Sequence, residues 1–190
     1  MIIVSREIWG ALPPKKSHSK NIAKQMGLAV HYTAMETAKS YEDELRQLVS
    51  IQKFHQVDRG WNDIGYSFIV GNSGSVYEGR GFGNRPASQG TNEGNKNFYS
   101  ICWLGDSEGE PSQAALNSIK QLWKHIGGEI KPHKEFKQTS CPGLYLTNWV
   151  NDIKKDDNKD PVITSLVEDR LSKLEKDLAG IRKIIDKRIT

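Results

Sequence analysis

The sequence predicts an α/β fold in which a mixed central β-sheet is flanked by helices. Short apolar runs that are typical of buried strands occur at residues 27–33, 63–70 and 99–104. Apolar residues recur at helical spacing over residues 41–55 and 111–127, which predicts two amphipathic helices. Strands and helices therefore alternate along the chain, and this order is typical of a sheet covered by helices.

A hairpin is predicted in the middle of this pattern. The apolar run that begins at Asp63 ends at residues 71–74, whose Gly-Asn-Ser-Gly sequence favours a tight turn. Residues 75–79 follow as the returning strand. Residues 12–26 and 80–97 are predicted loops, the second rich in glycine and asparagine. Loops of that length in a compact domain are usually functional or disordered.

The C-terminal part of the chain is predicted from charge and periodicity. A closing helix over residues 144–153 completes a first domain, residues 1–153, and the charged residues 154–161 predict a linker. Residues 162–190 carry a heptad stripe of apolar side chains: Val167, Leu171, Leu174, Leu178, Ile181 and Ile185. Because a lone helix of this length is marginal in water, we expect a coiled coil that makes a homo-oligomer. Docking of this helix on its own domain is the alternative.

The composition excludes several classes of protein. The chain has 27 Lys and Arg against 23 Asp and Glu, a net charge of +4 from evenly mixed charges. This mild basic excess suits a polyanionic surface such as bacterial wall, nucleic acid or anionic membrane, and the charge alone does not choose among them. A nucleic-acid binder needs a clustered basic face with aromatic residues, and the evenly mixed charges disfavour it. No stretch approaches the ~20 apolar residues of a membrane span. Residues 1–7 do not read as a signal peptide, so we expect synthesis in a cytoplasm.

Three residues of reactive type have simple structural interpretations. Cys102 lies within an apolar run and is expected to be a small core residue. His18 lies in a polar loop, where a solvated side chain is expected. His125 lies one residue before the end of a predicted helix, where a cation interacts favourably with the helix dipole.

Three other residues are candidate metal ligands. His31 ends a buried strand, and His133 and Cys141 share one polar loop with seven residues between them. Imidazole and thiolate are good zinc ligands, and three protein ligands with one open position are typical of catalytic zinc. The spacing alone leaves a second hypothesis open, a thiol hydrolase with Cys141 as nucleophile and His133 as base.

Four motifs occur in order over residues 1–150. They are AVHYTA at residues 29–34, GWNDIGYSF at 60–68, GSVYEGR at 74–80, and the segment 133–142, which ends in TSCP. Together they resemble the amidase family that includes the lysozyme of T7-type phages and the peptidoglycan recognition proteins. The resemblance implies the peptidoglycan recognition protein/amidase-like fold for this region.

The resemblance also implies a site and an activity. Zn²⁺ would be held by His31, His133 and Cys141, and Tyr66 matches the active-site tyrosine of the family. Thr139 falls where family members carry lysine or threonine. The implied activity is hydrolysis of the amide bond between N-acetylmuramic acid and L-alanine in bacterial peptidoglycan. The Tyr66 hydroxyl would donate to the developing oxyanion, and Thr139 would orient the water or help to hold the oxyanion.

The sequence departs from the family pattern in the long loop and in a shortened strand over residues 100–105, and the resemblance leaves alternatives. Ser88 stands where many members of the family have a histidine in the long loop. His55 also matches a common histidine, and we interpret it as structural rather than as a ligand. We expect a phage endolysin that acts in host lysis and stays in the host cytoplasm before release to the wall. The alternatives are a non-catalytic peptidoglycan-binding module, which usually lacks the equivalent of Cys141, and a cytoplasmic wall-recycling amidase.

Overall fold

A computed structural model describes residues 2–20, 27–107 and 109–158, together with Arg170 and Ser172. The chain divides into two units, Met1–Asn151 and Asp152–Thr190. The six apolar positions of the predicted heptad stripe lie outside the described residues. The coiled coil and the oligomer that it predicts therefore remain predictions.

The first unit is built on a six-stranded sheet with the order β1-β4-β3-β5-β2-β6. Its strands are β1 Ile3–Val4, β2 Gly27–Tyr32, β3 Phe68–Val70, β4 Val76–Glu78, β5 Phe98–Trp103 and β6 Glu129–Pro132. The β3–β4 hairpin is antiparallel and the other neighbouring pairs are parallel. The predicted mixed central sheet with its hairpin is therefore confirmed.

Helices cover this sheet, as the apolar periodicity predicts. They are α1 Tyr41–Lys53 with a π-helical turn at Phe54–Asp58, α2 Asn92–Asn97, α3 Gln113–Ile126 and α4 Gly143–Asn158. The side chains of Ser40, Thr91 and Ser112 accept hydrogen bonds at the first turns of α1, α2 and α3. In the described residues, no helix has the length and apolar character that crossing a bilayer requires.

Several predicted boundaries differ from the structure. The strand predicted from Asp63 begins only at Phe68, because side chains bind the preceding backbone: Asp63 accepts from Ile64 N, and Ser100 accepts from Ser67 N. The predicted loop 80–97 contains α2. The strands β1 and β6 are too short to show a period in the sequence. The helix α4 continues to Asn158, beyond the predicted start of the linker.

A buried carboxylate fixes the segment that leads into β3. Asp63 is fully buried, with an ion pair to Arg6 at 3.0 Å and a 2.9 Å contact to Nε2 of His18. Gln52 on α1 donates to the same carboxylate at 2.7 Å. The expectation that His18 is solvated is therefore wrong, since its side chain is only 11% exposed. This network holds the N-terminal segment, α1 and the residues just before Tyr66 together.

Replacing Asp63 with asparagine is expected to destabilise the protein by about 3 kcal/mol or more, because it leaves the buried end of Arg6 without its counter-charge. Urea unfolding followed by circular dichroism measures the loss. Glu36→Gln, which removes a fully exposed partner of Lys39, serves as the control and should leave the midpoint unchanged. Equal midpoints for the Asp63 variant and the wild type would show that the network contributes no net stability.

Candidate metal centre

The topology of the sheet brings two histidines together. Val30 on β2 pairs with Pro132 on β6, and the two strands are parallel. His31 and His133 each follow these paired positions by one residue, so both lie at the same end of neighbouring strands. Their ring centroids are 4.3 Å apart. The sequence alone does not show this contact, because the four residues of β6 are too few to define a strand pattern.

The loop after β6 returns Cys141 to the same place. Lys134 N donates to the Cys141 carbonyl at 3.1 Å, and Gly143 N donates to the Ser140 carbonyl at 2.7 Å, which closes the loop. The Cys141 sulfur lies 3.8 Å from Nδ1 of His31 and accepts a hydrogen bond from Tyr32 N at 3.4 Å. The structure therefore brings together all three residues that the sequence proposed as ligands.

The arrangement of these three side chains fits a metal ion. Their ligand atoms all lie within 4.8 Å of one another. Tetrahedral zinc, with Zn–N of ~2.0 Å and Zn–S of ~2.3 Å, separates its ligands by roughly 3.3–3.8 Å. His31 Nε2 and both ring nitrogens of His133 are buried without a hydrogen-bond partner. An unpaired buried nitrogen is costly, and each neutral ring has one lone pair, so these rings indicate a site for a group that accepts one lone pair from each.

The protonation states also suit a metal. Burial, with His133 as a second cause, lowers the pKa of His31 well below its usual 6.5, and burial lowers that of His133, so both rings offer lone pairs at neutral pH. Burial raises the pKa of the Cys141 thiol to about 12. A thiol of that pKa is a poor nucleophile without a cation beside it, which disfavours the thiol-hydrolase hypothesis. A bound metal ion would stabilise the thiolate.

The three side chains line an open cavity of about 250 Å³. In the part of the chain that the structure describes, the cluster has no fourth His, Cys, Asp or Glu. The cavity wall is completed by Tyr32, Ala34, His55, Trp61, Tyr66, Ser88, Thr139 and Ser140. A second cavity of about 400 Å³ also has His55 and Tyr66 in its lining, so the two cavities adjoin, and together they are called the groove. One side of the cluster is therefore open to a ligand.

Both predicted catalytic residues reach this cavity. The ring of Tyr66 lies between His31 and His55, with centroids at 5.5 and 5.7 Å. Burial raises the pKa of Tyr66 well above 10, so its hydroxyl stays protonated and can donate. The hydroxyl oxygen of Thr139 accepts from Cys141 N at 3.2 Å, which leaves its hydrogen available to a ligand. The structure thus offers two hydroxyl donors beside the cluster.

His55 also lines the cavity, although the sequence interpretation gives it only a structural role. It stacks on Trp61 with centroids 4.7 Å apart, and its Nδ1 accepts a hydrogen bond from Gly65 N at 3.2 Å. In the neutral ring the hydrogen must then sit on Nε2, which makes that atom a donor. Burial, with the nearby Arg59 and Arg80 charges, lowers the pKa of His55 to about 4. The sequence motif does not show that the His55 ring accepts a hydrogen bond from Gly65 N, so it could not identify His55 as a donor in the cavity.

The low pKa of His55 predicts a loss of stability in acid. Between pH ~6.5 and about 4 the unfolded chain binds a proton at His55 and the folded protein does not, so stability falls as the pH falls. The contribution is on the order of 2–3 kcal/mol. His55→Gln should therefore lose less stability than the wild type over this window in urea titrations. His125→Gln, at the exposed end of α3, is the control, and equal slopes for all three proteins would contradict the assignment.

Comparison with known proteins places this fold and site in a family. The chain matches the family model of N-acetylmuramoyl-L-alanine amidase, Amidase_2, over residues 23–144, and it belongs to that family. It is 34% identical over 152 residues to peptidoglycan-recognition protein LB of Drosophila melanogaster, covering 74% of this chain and 64% of that protein. It is 33% identical over 155 residues to an N-acetylmuramoyl-L-alanine amidase of Sus scrofa, and this match covers 75% of this chain and 25% of that protein. The chain thus spans less than two thirds of either relative.

A solved structure shows the same fold. A mutant of Drosophila peptidoglycan-recognition protein LB, in complex with tracheal cytotoxin, superposes with a TM-score of 0.72 at 30% identity. The match covers 78% of this chain and 92% of that chain. The predicted family and the predicted sheet architecture are therefore confirmed.

Proposed function

We propose that this protein is a zinc-dependent amidase that hydrolyses the bond between N-acetylmuramic acid and L-alanine in bacterial peptidoglycan. The observation that carries the proposal is the cluster of His31, His133 and Cys141 at the floor of an open groove. Zinc held by these residues would supply activation of water and polarisation of the amide carbonyl. The membership of the amidase family supports the choice of substrate.

The chain's own residues supply orientation and hydrogen bonds. The protonated hydroxyl of Tyr66 is available to donate to the oxygen of the scissile carbonyl as negative charge develops there. Thr139, held by the Cys141 amide, presents a second hydroxyl in the same cavity. The Nε2 hydrogen of His55 binds a carbonyl of the substrate further along the groove. Removal of one such donor typically lowers the rate by 10²–10³-fold only when it contacts the developing charge.

The second cavity of the groove adjoins the first at His55 and Tyr66. It is lined by Arg59 and Phe54, and the Arg59 guanidinium lies over the rings of Phe54 and Trp61 at 5.2 and 5.9 Å. No carboxylate in the described residues forms an ion pair with Arg59. Guanidinium groups bind carboxylates with two parallel hydrogen bonds, and the peptide part of peptidoglycan carries carboxylates, unlike its N-acetylated sugars. We therefore place the peptide in this cavity.

Arg59→Ala is expected to raise KM for a muramyl peptide by roughly 10–100-fold, as the loss of a charge-assisted hydrogen bond predicts, with a small effect on kcat. Steady-state kinetics on a soluble muramyl tripeptide measures both constants. Arg46→Ala, on the exposed side of α1, removes the same charge away from the groove and should leave KM unchanged. Equal KM values for the two variants would show that the peptide does not bind in this cavity.

A direct assay tests the proposed function against the alternative of a non-catalytic binder. Purified peptidoglycan is incubated with the full chain, and new N-terminal alanine is counted before and after dialysis against a chelator. We expect release of alanine amino groups, its loss on chelation, and its return with added Zn²⁺. Binding of peptidoglycan without release would identify a binding module, and release that survives chelation would reject zinc dependence.

The proposed biological role is lysis of a bacterial host by a phage endolysin that waits in the host cytoplasm. Expression of the chain in the cytoplasm should leave cells intact until the membrane is permeabilised, and then cause rapid lysis. Lysis without permeabilisation would contradict retention in the cytoplasm, whereas no lysis after permeabilisation would contradict the lytic role and favour wall recycling. The proposed oligomer is tested by sedimentation of the full chain against Leu174→Asp in the heptad stripe, and equal monomer masses would reject it.

A further inference from the structure

Ser88 is a polar residue of the cavity to which the proposed reaction assigns no role. It lies in the loop before α2 and lines the same cavity as the three candidate ligands. Its hydroxyl forms a 2.6 Å hydrogen bond with Oε1 of Gln89. Many members of the amidase family have a histidine at this position, so the family pattern assigns no role to a serine here.

A second hydrogen bond fixes the direction of the first. Gln89 is completely buried, and its side-chain nitrogen Nε2 donates to the Phe98 carbonyl at 2.8 Å. A carbonyl oxygen can only accept, so Nε2 must face Phe98 and Oε1 must face Ser88. Because Oε1 can also only accept, the Ser88 hydroxyl is the donor. The hydrogen of Ser88 is therefore directed to Gln89, and its oxygen keeps lone pairs for a different donor.

The loop around Ser88 is held on both sides. Ala87 N donates to the Gly65 carbonyl at 2.8 Å, and Gln89 N donates to Oδ1 of Asn95 on α2 at 3.0 Å. In the part of the chain that the structure describes, no group donates a hydrogen bond to Oγ of Ser88. Ser88 thus brings to the cavity an acceptor whose orientation is set by the protein before a ligand arrives.

An acceptor complements the other polar groups of the cavity. The hydroxyls of Tyr66 and Thr139 and the Nε2 hydrogen of His55 are donors, which suit the carbonyl oxygens of a substrate. A muramyl peptide also has amide N–H groups, one in the acetamido group of its sugar and one in the scissile bond. We propose that Ser88 is a specificity-determining residue that accepts a hydrogen bond from one of these two N–H groups. The proposal rests on the proposed amidase function.

The direction of the Ser88 hydroxyl gives this contact its selectivity. An ester oxygen in place of the amide N–H would face the serine oxygen with lone pairs on both atoms, and neither atom could donate. A buried polar contact that is lost in this way costs more than one that is exchanged for another hydrogen bond. The Ser88 contact therefore favours an amide over the corresponding ester.

Binding of ester analogues tests the contact without relying on activity. Isothermal titration calorimetry is done on the full chain after dialysis against a chelator, so that no zinc-dependent hydrolysis takes place. The ligands are a muramyl tripeptide and two analogues, in which an ester oxygen replaces the N–H of the acetamido group or of the scissile amide. We expect one analogue to bind about ten-fold more weakly than the tripeptide, the effect of one hydrogen bond, and that analogue identifies the N–H.

Variants of Ser88 assign the preference to this side chain. Ser88→Ala should bind the tripeptide about ten-fold more weakly and should no longer distinguish it from the weaker analogue. Ser88→Thr keeps the hydroxyl and should keep the preference for the amide. Ser118→Ala is the matched control, because it removes a hydroxyl on α3 that donates to the Gly74 carbonyl and does not line the cavity. This variant should bind all three ligands as the wild type does.

Three results would overturn the proposal: equal affinities of the wild type for the tripeptide and both analogues, no binding of the tripeptide, or a preference for the amide that persists in Ser88→Ala. The amidase function is decided separately by release of alanine from peptidoglycan. A chain that binds the tripeptide and releases no alanine would reject that function, while the calorimetry would still decide the contact with Ser88.

Discussion

Replacing Cys141 with serine is expected to remove zinc from the purified protein and to abolish release of alanine from peptidoglycan. In the proposed centre, Cys141 is one of three candidate ligands that the described residues bring together, and a serine hydroxyl stays protonated and binds zinc poorly. Changes in groups that merely support zinc ligands cost 10–100-fold in affinity, so the loss of a ligand should exceed ~100-fold. Inductively coupled plasma mass spectrometry gives the zinc content and amino-group release gives the activity.

The control for this change is the other thiol. Cys102→Ala removes a buried sulfur that lies beside the cluster and is not part of it. We expect this variant to keep one zinc ion per chain. A Cys141→Ser protein that retains full zinc content and activity would show that the cluster is not the metal site.

Tyr66→Phe is expected to lower kcat by about 10²–10³-fold and to leave the zinc content unchanged. The substitution removes only the hydroxyl oxygen and keeps the ring between His31 and His55, so the walls of the cavity are preserved. The lost donor acts on charge that exists mainly in the transition state, and KM should therefore change little. Stopped assays on a muramyl tripeptide at saturating substrate measure the effect.

Tyr99→Phe is the matched control for this second change. Its hydroxyl accepts a hydrogen bond from Gly83 N, away from the metal cluster, so kcat should stay close to the wild-type value. If Tyr66→Phe and Tyr99→Phe had the same kcat as the wild type, Tyr66 would have no part in the reaction. A parallel loss of zinc in Tyr66→Phe would assign it a structural role at the centre instead.

The sequence predicts those helices and strands in which apolar residues repeat with a clear period. The helices α1 and α3 and the strands β2 and β5 are long enough for apolar residues to repeat, and the glycine-rich turn at residues 71–74 marks the hairpin. The short strands β1 and β6 lack such a signal, because two or four residues cannot define a period. Element boundaries near Asp63 depend on side-chain hydrogen bonds from distant residues, which no local pattern contains.

Only part of the candidate site can be predicted from the sequence. Residue types and family motifs pointed to His31, His133, Cys141, Tyr66 and Thr139, and the structure places all five around one cavity. The hydrogen-bond role of His55 cannot be predicted from the sequence, since it depends on which partner the side chain meets. The donor on His55 follows from the Gly65 amide. Contacts of this kind arise only from the tertiary structure.

X-ray absorption at the zinc edge tests the coordination of the ion most directly. In the full chain loaded with one equivalent of Zn²⁺, we expect one sulfur at about 2.3 Å, two imidazole nitrogens at about 2.0 Å, and one further light atom that a substrate-like ligand displaces. Spectra with no sulfur neighbour, or with a fourth protein ligand that no ligand displaces, would contradict a catalytic zinc held by His31, His133 and Cys141.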